Sequence, residues 1–338
     1  MSPGPAPARG VRILGSGTAL PETVLTNKDL ESMMETSADW IVQRTGIRER
    51  RRADLDGGQR TSVLATDALR AAMDDAGVDP SELDLILVAT MTPDSPTPPV
   101  GCLVARNLGC APIGAFDING ACSGFIYTLS IVDAMIRSGA YRTVGVVGAD
   151  CLTRHVDYST YGRGAAILFG DAGSAMVLRA DEDASVGMLA HRMHSDGDGA
   201  RHLFIPSAPD HFTDVMPYEE RKLDKVQMNG QAVFKFAVSK FEEVIRDTLD
   251  DAGLTPDDVD HFVCHQANSR ILESARNRFG IPEEKLLVNI DRLGNTVAAS
   301  APIVFDELAR AGRTARGQRV MFVAFGAGLT WGSSLWRL

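Results

Sequence analysis

The chain has 338 residues, 44% of them hydrophobic and 23% charged, a composition that suits a folded globular protein long enough to bury a large core. A formal net charge of −10 argues against nucleic acid as a partner, and no apolar run approaches the roughly 20 residues of a membrane span. Five cysteines without repeated spacing, and no secretory leader, lead us to expect a reducing, cytoplasmic setting rather than a disulfide framework.

In chain order, residues 1–9 carry three prolines and no periodicity and read as a disordered tail. VRILGSGTALP then reads as a strand followed by a glycine turn. A dinucleotide-binding loop is rejected there, because the third glycine is missing and Pro21 stands where the phosphate-binding helix would begin. Asn27 to Met34 reads as a short helix. In SADWIVQRTGIRERR, Trp40 is either a core anchor or a stacking surface, and Arg44 four residues later suits an aromatic and cationic pair for a nucleotide. The basic run from Arg44 to Arg52 otherwise reads as a solvated face.

An amphipathic helix from Ser62 to Ala76 stops at Gly77, and the near-continuous apolar strand LDLILVAT (83 to 90) suits a sheet covered on both faces. A proline-rich loop (93 to 99), a helix (100 to 109) and a strand (Ala115 to Ile118) lead to DINGACSGFIYTLSIVDAMIRSG, residues 117–139. Here Cys122 lies among small residues at the start of a mostly apolar helical segment stopped by Gly139. The unpaired N–H groups and positive dipole end of such a helix favour a thiolate, while a small buried cysteine is the bland alternative. Val144 to Gly148 reads as the next strand.

The two halves repeat. DDAGVDPSELDLILVAT (74 to 90) lines up with DDAGLTPDDVDHFVCHQ (250 to 266) at an offset of 176 (256 − 80), and 142–150 and 169–179 resemble 318–328 and 325–338 more loosely. The duplication puts His265 at the carboxyl end of a buried strand, where open α/β sheets build their sites. Asn295 falls in a turn just before a helix, as Cys122 does. Taken singly, a structural histidine and a helix-capping asparagine are the ordinary readings. Together, cysteine, histidine and asparagine at analogous element ends of a pseudo-twofold fold are expected to meet on its axis.

The stretches DWIVQRTGIRERR, ACSGFIYTLSIVDAMIRSG, FGDAGSAMVLR, MNGQAVFKFAV, HQANSRI, RLGNTVAASAP and FGAGLTWGSSLWRL resemble the β-ketoacyl-acyl-carrier-protein synthase III group of thiolase-fold enzymes, and they cover nearly the whole chain in order. The resemblance implies an α/β fold of two duplicated halves packed as a five-layer αβαβα sandwich. Residues 10–180 then form the half with Cys122, 181–222 a connecting segment, and 223–338 the half with His265 and Asn295. It further implies an acyltransferase that condenses an acyl-CoA primer with malonyl-acyl-carrier protein, decarboxylating the latter, to initiate fatty-acid or polyketide synthesis by a ping-pong mechanism. In that reaction Cys122 carries the acyl group, His265 and Asn295 hydrogen-bond the enolate, and the backbone N–H groups of Cys122 and Ala327 hold the acyl oxyanion. Where family members usually have glycine, this chain has Ala327, which serves only if it needs no glycine-type φ.

By the same resemblance Trp40, Arg44, Arg163, Asn268 and Arg270 bind CoA, Thr97 and Phe325 belong to the acyl pocket, and Lys235, Arg270, Arg276 and Arg278 form a rim for the acidic carrier protein. Thr97 matches a position that is a bulky aromatic in acetyl-selective members and reaches the partner subunit's pocket, so primers longer than acetyl are expected. The resemblance also implies a homodimer with no metal and no cofactor. Three rivals differ in kind: an acyltransferase passing the group to a hydroxyl or amine, a Cys-His-Asn thiol hydrolase, and a non-catalytic acyl-CoA-binding scaffold. Retention of both His265 and Asn295 favours decarboxylation over the first. The duplicated α/β pattern contradicts the second, and the intact set of three polar residues argues against the third.

Overall fold

The computed structural model describes residues 9–208 and 222–338, so the expected tail lies almost entirely outside the described residues. Two sheets form the frame. In the first the strand order is Gly10–Ala19, Ala172–Asp181, Thr143–Asp150, Leu85–Ala89, Gly114–Ile118, with the last three mutually parallel. In the second it is His261–Cys264, Arg319–Gly326, Thr330–Arg337, Gly187–Ser195, where only the first pair is parallel.

Alternation along Leu85–Ala89 shows how five layers arise. Leu85, Leu87 and Ala89 point into a central core shared with Phe125, Leu129 and Ile136 of the Gly124–Arg137 helix, Val304 and Leu308 of the Ser300–Arg310 helix, and Val320 and Phe322 of the other sheet. Ile86 and Val88 face the Thr61–Ala76 and Val100–Leu108 helices instead. The Gly230–Ala252 and Ser269–Phe279 helices cover the far side of the second sheet. The inner strands of both sheets are thus buried on both faces, which is why Leu85–Ala89 and Arg319–Gly326 read as nearly continuous apolar runs, while the edge strands Gly114–Ile118 and Gly187–Ser195 stay partly exposed.

The sequence repeat is a structural one. Gly77 (φ +62°) and Gly253 (φ +64°) stop equivalent helices in the left-handed region, and single helical turns with capping boxes follow at Pro80–Glu82 and Pro256–Asp258. The same spacing of 176 residues relates the turn Ala121–Ser123 to Val297–Ala299 (121 to 297) and the strand Thr143–Asp150 to Arg319–Gly326 (143 to 319).

Two expectations change. The first strand does not stop at a glycine turn but runs from Gly10 through Ala19. Gly15 and Gly17 are bare because the Thr61–Ala76 helix crosses directly over them; a Cβ on Gly17 would lie 2.3 Å from the Ala72 nitrogen. Within 181–222, expected to connect the halves, Gly187–Ser195 pairs with Thr330–Arg337 as the edge strand of the second sheet, so the C-terminal layer begins there.

Candidate active site

Cys122 sits on the turn Ala121–Ser123 immediately before the Gly124–Arg137 helix, with Ala121 at φ +46°. Small neighbours let three backbones meet here. A Cβ on Gly326 would come within 2.7 Å of the Cys122 nitrogen, and one on Gly120 within 2.9 Å of Gly124 Cα. His265 follows the strand His261–Cys264 and donates its backbone N–H to the Val323 carbonyl at 2.8 Å. Asn295 arrives from the duplicated turn. Its N–H bonds the Leu168 carbonyl (2.9 Å), its carbonyl accepts from Gly170 (3.0 Å), and its Oδ1 accepts from the Val297 N–H (2.9 Å), which leaves the Nδ2 amide as the branch not held by that turn.

The three side chains, all buried, line one cavity of about 530 Å³ together with Phe325 and Gly326. Among the described residues neither His265 ring nitrogen has a hydrogen-bond partner, and the ring stands edge-on to Phe325 with centroids 5.6 Å apart. Burial alone pulls the His265 pKa down to about 3, so the imidazole is neutral at physiological pH, with one N–H to give and one lone pair to accept.

The expectation of a favoured Cys122 thiolate is overturned. Burial pushes the thiol pKa well above its ordinary value, and the carboxylate of Asp150 adds to that, outweighing the single backbone N–H that acts the other way. The resting form is the thiol. A single turn exposed to a helix dipole was the local picture; tertiary packing of Phe169, Val297 and Leu152 around the sulfur removes the water that a charge would need.

At the cavity mouth the Arg44 and Arg163 guanidiniums pack on the Trp40 indole, 5.0 Å and 4.7 Å from its centroid. Trp40, Arg44, Asn268 and Arg270 line the cavity; Arg163 does not, although Gly164 beside it does. Asn268 caps the Ser269–Phe279 helix through its Oδ1 and ties the Arg44 carbonyl through Nδ2 at 3.1 Å. Phe325, expected in the acyl pocket, lines this cavity beside His265.

On the other side of Cys122 lies a wholly apolar hole of about 20 Å³ lined by Met91, Ala121, Leu152, Ile205, Val226 and Ala327, among others. Cys122, Phe169 and Leu203 border both spaces and form the neck between them. Ala327 is not among the described residues with positive φ, so alanine fits without strain. Thr97 is exposed and lines neither space of this chain. Of the expected carrier-protein rim, Lys235, Arg270 and Arg278 are exposed and Arg276 is half-buried. Arg276 approaches Glu283 at 3.6 Å and Arg278 approaches Glu242 at 3.7 Å. Sequence reasoning missed Gly326, Phe169, Leu203 and Asp150; only the duplication, which makes Asp150 and Gly326 equivalent, carried a signal for any of them.

A buried cysteine, histidine and asparagine meeting where two duplicated α/β halves join define a thiolase-like protein. Residues 249–338 match the family described as 3-oxoacyl-[acyl-carrier-protein (ACP)] synthase III C terminal, and residues 116–197 match 3-oxoacyl-[acyl-carrier-protein (ACP)] synthase III. The chain is 44% identical over 324 residues to the β-ketoacyl-[acyl-carrier-protein] synthase III of Caldanaerobacter subterraneus, covering 96% of both proteins. It is 45% identical to that of Xanthomonas campestris, covering 96% of this chain and 98% of the relative. The crystal structure of the Aquifex aeolicus 3-oxoacyl-[acyl-carrier-protein] synthase III superposes with a TM-score of 0.89 at 41% identity, covering 97% of this chain and all of that one. The priming β-ketosynthase of the R1128 polyketide biosynthetic pathway gives 0.89 at 35% identity, over 98% of this chain and 97% of that one. The chain belongs to the β-ketoacyl-acyl-carrier-protein synthase III family. It is a condensing synthase.

Proposed function

We propose that this protein starts a fatty-acid chain by condensing an acyl-CoA primer with malonyl-acyl-carrier protein, and that Cys122 carries the primer between the two half-reactions. The observation that supports this best is the shared cavity: a thiol, an imidazole with two unpartnered nitrogens and an amide face one space whose mouth is Trp40 and Arg44. The flat indole with its two guanidiniums suits the adenine end of CoA, and Asn268 and Arg270 suit the polar part behind it.

In the first half-reaction the Cys122 sulfur attacks the thioester carbonyl, and the backbone N–H groups of Cys122 and Ala327 receive the oxyanion. CoA leaves as the thiol and takes up the proton that Cys122 loses. His265, neutral and lacking a partner, is the group in the cavity able to carry that proton. In the second half-reaction the malonyl thioester loses CO₂. The enolate oxygen takes hydrogen bonds from the His265 N–H and the Asn295 Nδ2, each worth about 3 kcal/mol in a dry site, and its carbon attacks the acyl-Cys122 carbonyl. The adduct collapses to the β-ketoacyl-carrier protein as the acyl–sulfur bond breaks, and the released Cys122 sulfur takes up one proton from solvent to return to the thiol; no oxidation state changes beyond the loss of CO₂. The exposed Lys235 and Arg270, with Arg276 and Arg278, form the basic edge for the acidic carrier protein. Two copies of the chain complete the site in this reading, the Thr97 loop of one facing the acyl hole of the other.

Intact-protein mass spectrometry tests the reading. Wild type incubated with a panel of acyl-CoAs acquires an acyl mass that Cys122→Ala does not, and malonyl-carrier protein then clears it with release of CO₂. An adduct cleared by a hydroxyl or amine acceptor without CO₂ would mark a simple acyltransferase; no adduct with any acyl-CoA would remove Cys122 as the CoA-primed nucleophile.

A further inference from the structure

The duplication pairs the two turns of the site 176 residues apart, and the residues that stand beside their helix-start N–H groups differ. Asn119 and Asn295 correspond, and each accepts from the backbone N–H two residues on, Ala121 at 3.3 Å and Val297 at 2.9 Å. Ala121 (φ +46°) corresponds to Val297 (φ +54°), and Cys122 to Ala298. Beside the Cys122 N–H stands Gly326, bare, with room for nothing as large as a Cβ. Beside the Ala298 N–H the corresponding residue is Asp150, whose Oδ2 accepts that N–H at 3.2 Å.

The rest of Asp150 is held rigidly. Its Oδ1 accepts from Thr90 Oγ1 (3.1 Å), the Met91 N–H (2.9 Å), the Thr92 N–H (3.1 Å) and Thr92 Oγ1 (2.8 Å), and the residue is fully buried at the end of the Thr143–Asp150 strand. A carboxylate saturated with donors on one oxygen has a fixed orientation, and its other oxygen fixes whatever it touches. It touches the turn that carries Asn295. That turn needs fixing, because Val297 is a buried β-branched residue in the left-handed region, a backbone state that such a side chain disfavours. We infer that Asp150 is the positioning residue of Asn295: its carboxylate fills the second half's copy of the oxyanion cradle and, through the Ala298 N–H, holds the turn from which the Asn295 amide serves the cavity.

One half of the duplication therefore leaves its cradle open for an acyl oxygen while the other closes it with a side chain and spends it on geometry. The inference rests on the proposed enolate-binding role of Asn295, and the experiment separates the two. Asp150→Asn keeps shape and the Oδ1 acceptor, but turns an NH₂ toward the Ala298 N–H. Acylation of Cys122 is followed by intact mass, and decarboxylation of malonyl-carrier protein by the acyl-enzyme is followed by CO₂ release. The expected result is a loss of about 10- to 100-fold in CO₂ release with acylation not slowed by more than about 3-fold, since removing the Asp150 charge eases ionisation of Cys122. In an Asn295→Ala background, the added loss from Asp150→Asn is expected to shrink to within about 3-fold, because a residue acting through Asn295 has nothing left to act on.

Equal losses in both half-reactions, or an undiminished loss in the Asn295→Ala background, would overturn the inference. Asn295→Ala without loss of CO₂ release would instead sink the donor role on which it rests. Thr92→Val removes one of the four Oδ1 donors and the acceptor of the Cys151 N–H but leaves three donors on Oδ1 and the Asp150–Ala298 contact, so it is expected to cost stability while leaving the ratio of the half-reactions unchanged. A Thr92→Val enzyme that copies the expected split would also overturn the inference, whether or not Asp150→Asn folds well enough to assay.

Discussion

Burial of a neutral His265 makes folding stability depend on pH in a direction that can be worked out. The imidazole titrates near 6.5 when unfolded and at about 3 in the native protein. As pH falls below 6.5 the unfolded chain takes up a proton that the native protein refuses, so stability is lost progressively down to about pH 3. From pH 7.5 to 5 the loss spans about 1.5 pH units below the unfolded pKa, or about 2 kcal/mol at 1.36 kcal/mol per unit. With an unfolding entropy of about 2.1 cal/mol/K per residue, this corresponds to a fall in Tm of about 3 °C for a chain of this length. Asp150 works oppositely over part of the range: burial raises its pKa from 3.8 to about 6, so acid favours its native form. That term is common to wild type and His265→Gln and drops out of their difference. The measurement is the change in Tm between pH 7.5 and 5 for both proteins by scanning calorimetry. Wild type is expected to fall further by about 3 °C, relative to each protein's own value at pH 7.5. Equal falls would mean that His265 is charged or partnered in the native state and would refute the neutral-donor account.

Three further outcomes are expected from the geometry. Trp40→Ala should raise the KM for acyl-CoA about 10-fold with kcat within about 2-fold, since stacking with cationic neighbours is worth about 0.5–2 kcal/mol and is uniform along the reaction; a kcat loss without a KM change would place Trp40 elsewhere in the cycle. Gly326→Ala should cut Cys122 acylation by about 100-fold or more, because its Cβ would lie 2.7 Å from the Cys122 nitrogen that holds the oxyanion; adduct formation at the wild-type rate would remove that N–H from the mechanism. Thr97→Phe should shift primer use toward acetyl in a competition among acyl-CoAs read by mass spectrometry. An unchanged chain-length profile would show that this exposed loop does not reach an acyl pocket in the working enzyme.

Local pattern carried a good deal of this. The Thr61–Ala76 helix, its glycine stop and the following buried strand were legible in periodicity and turn chemistry, and their recurrence 176 residues later revealed the duplication. Duplication in turn located His265 and Asn295 at element ends equivalent to known ones. The motifs around Cys122, His265 and Asn295 resembled one family, and the comparisons bear that out.

Other features were decided by contacts that no local pattern contains. Gly15 and Gly17 suggested a turn, yet they answer to a helix crossing a continuous strand. The helix start at Cys122 suggested a thiolate, yet side chains from distant segments dry the sulfur and Asp150 opposes its charge. The closed fold divides the space around the Cys122 sulfur into a larger cavity that Phe325 lines and a small apolar hole. Helix periods, caps and repeats are set by interactions within a few turns of chain and can be read along it. Desolvation, close backbone approach and the partition of a cavity depend on which distant surfaces meet, and so only the tertiary structure could settle them.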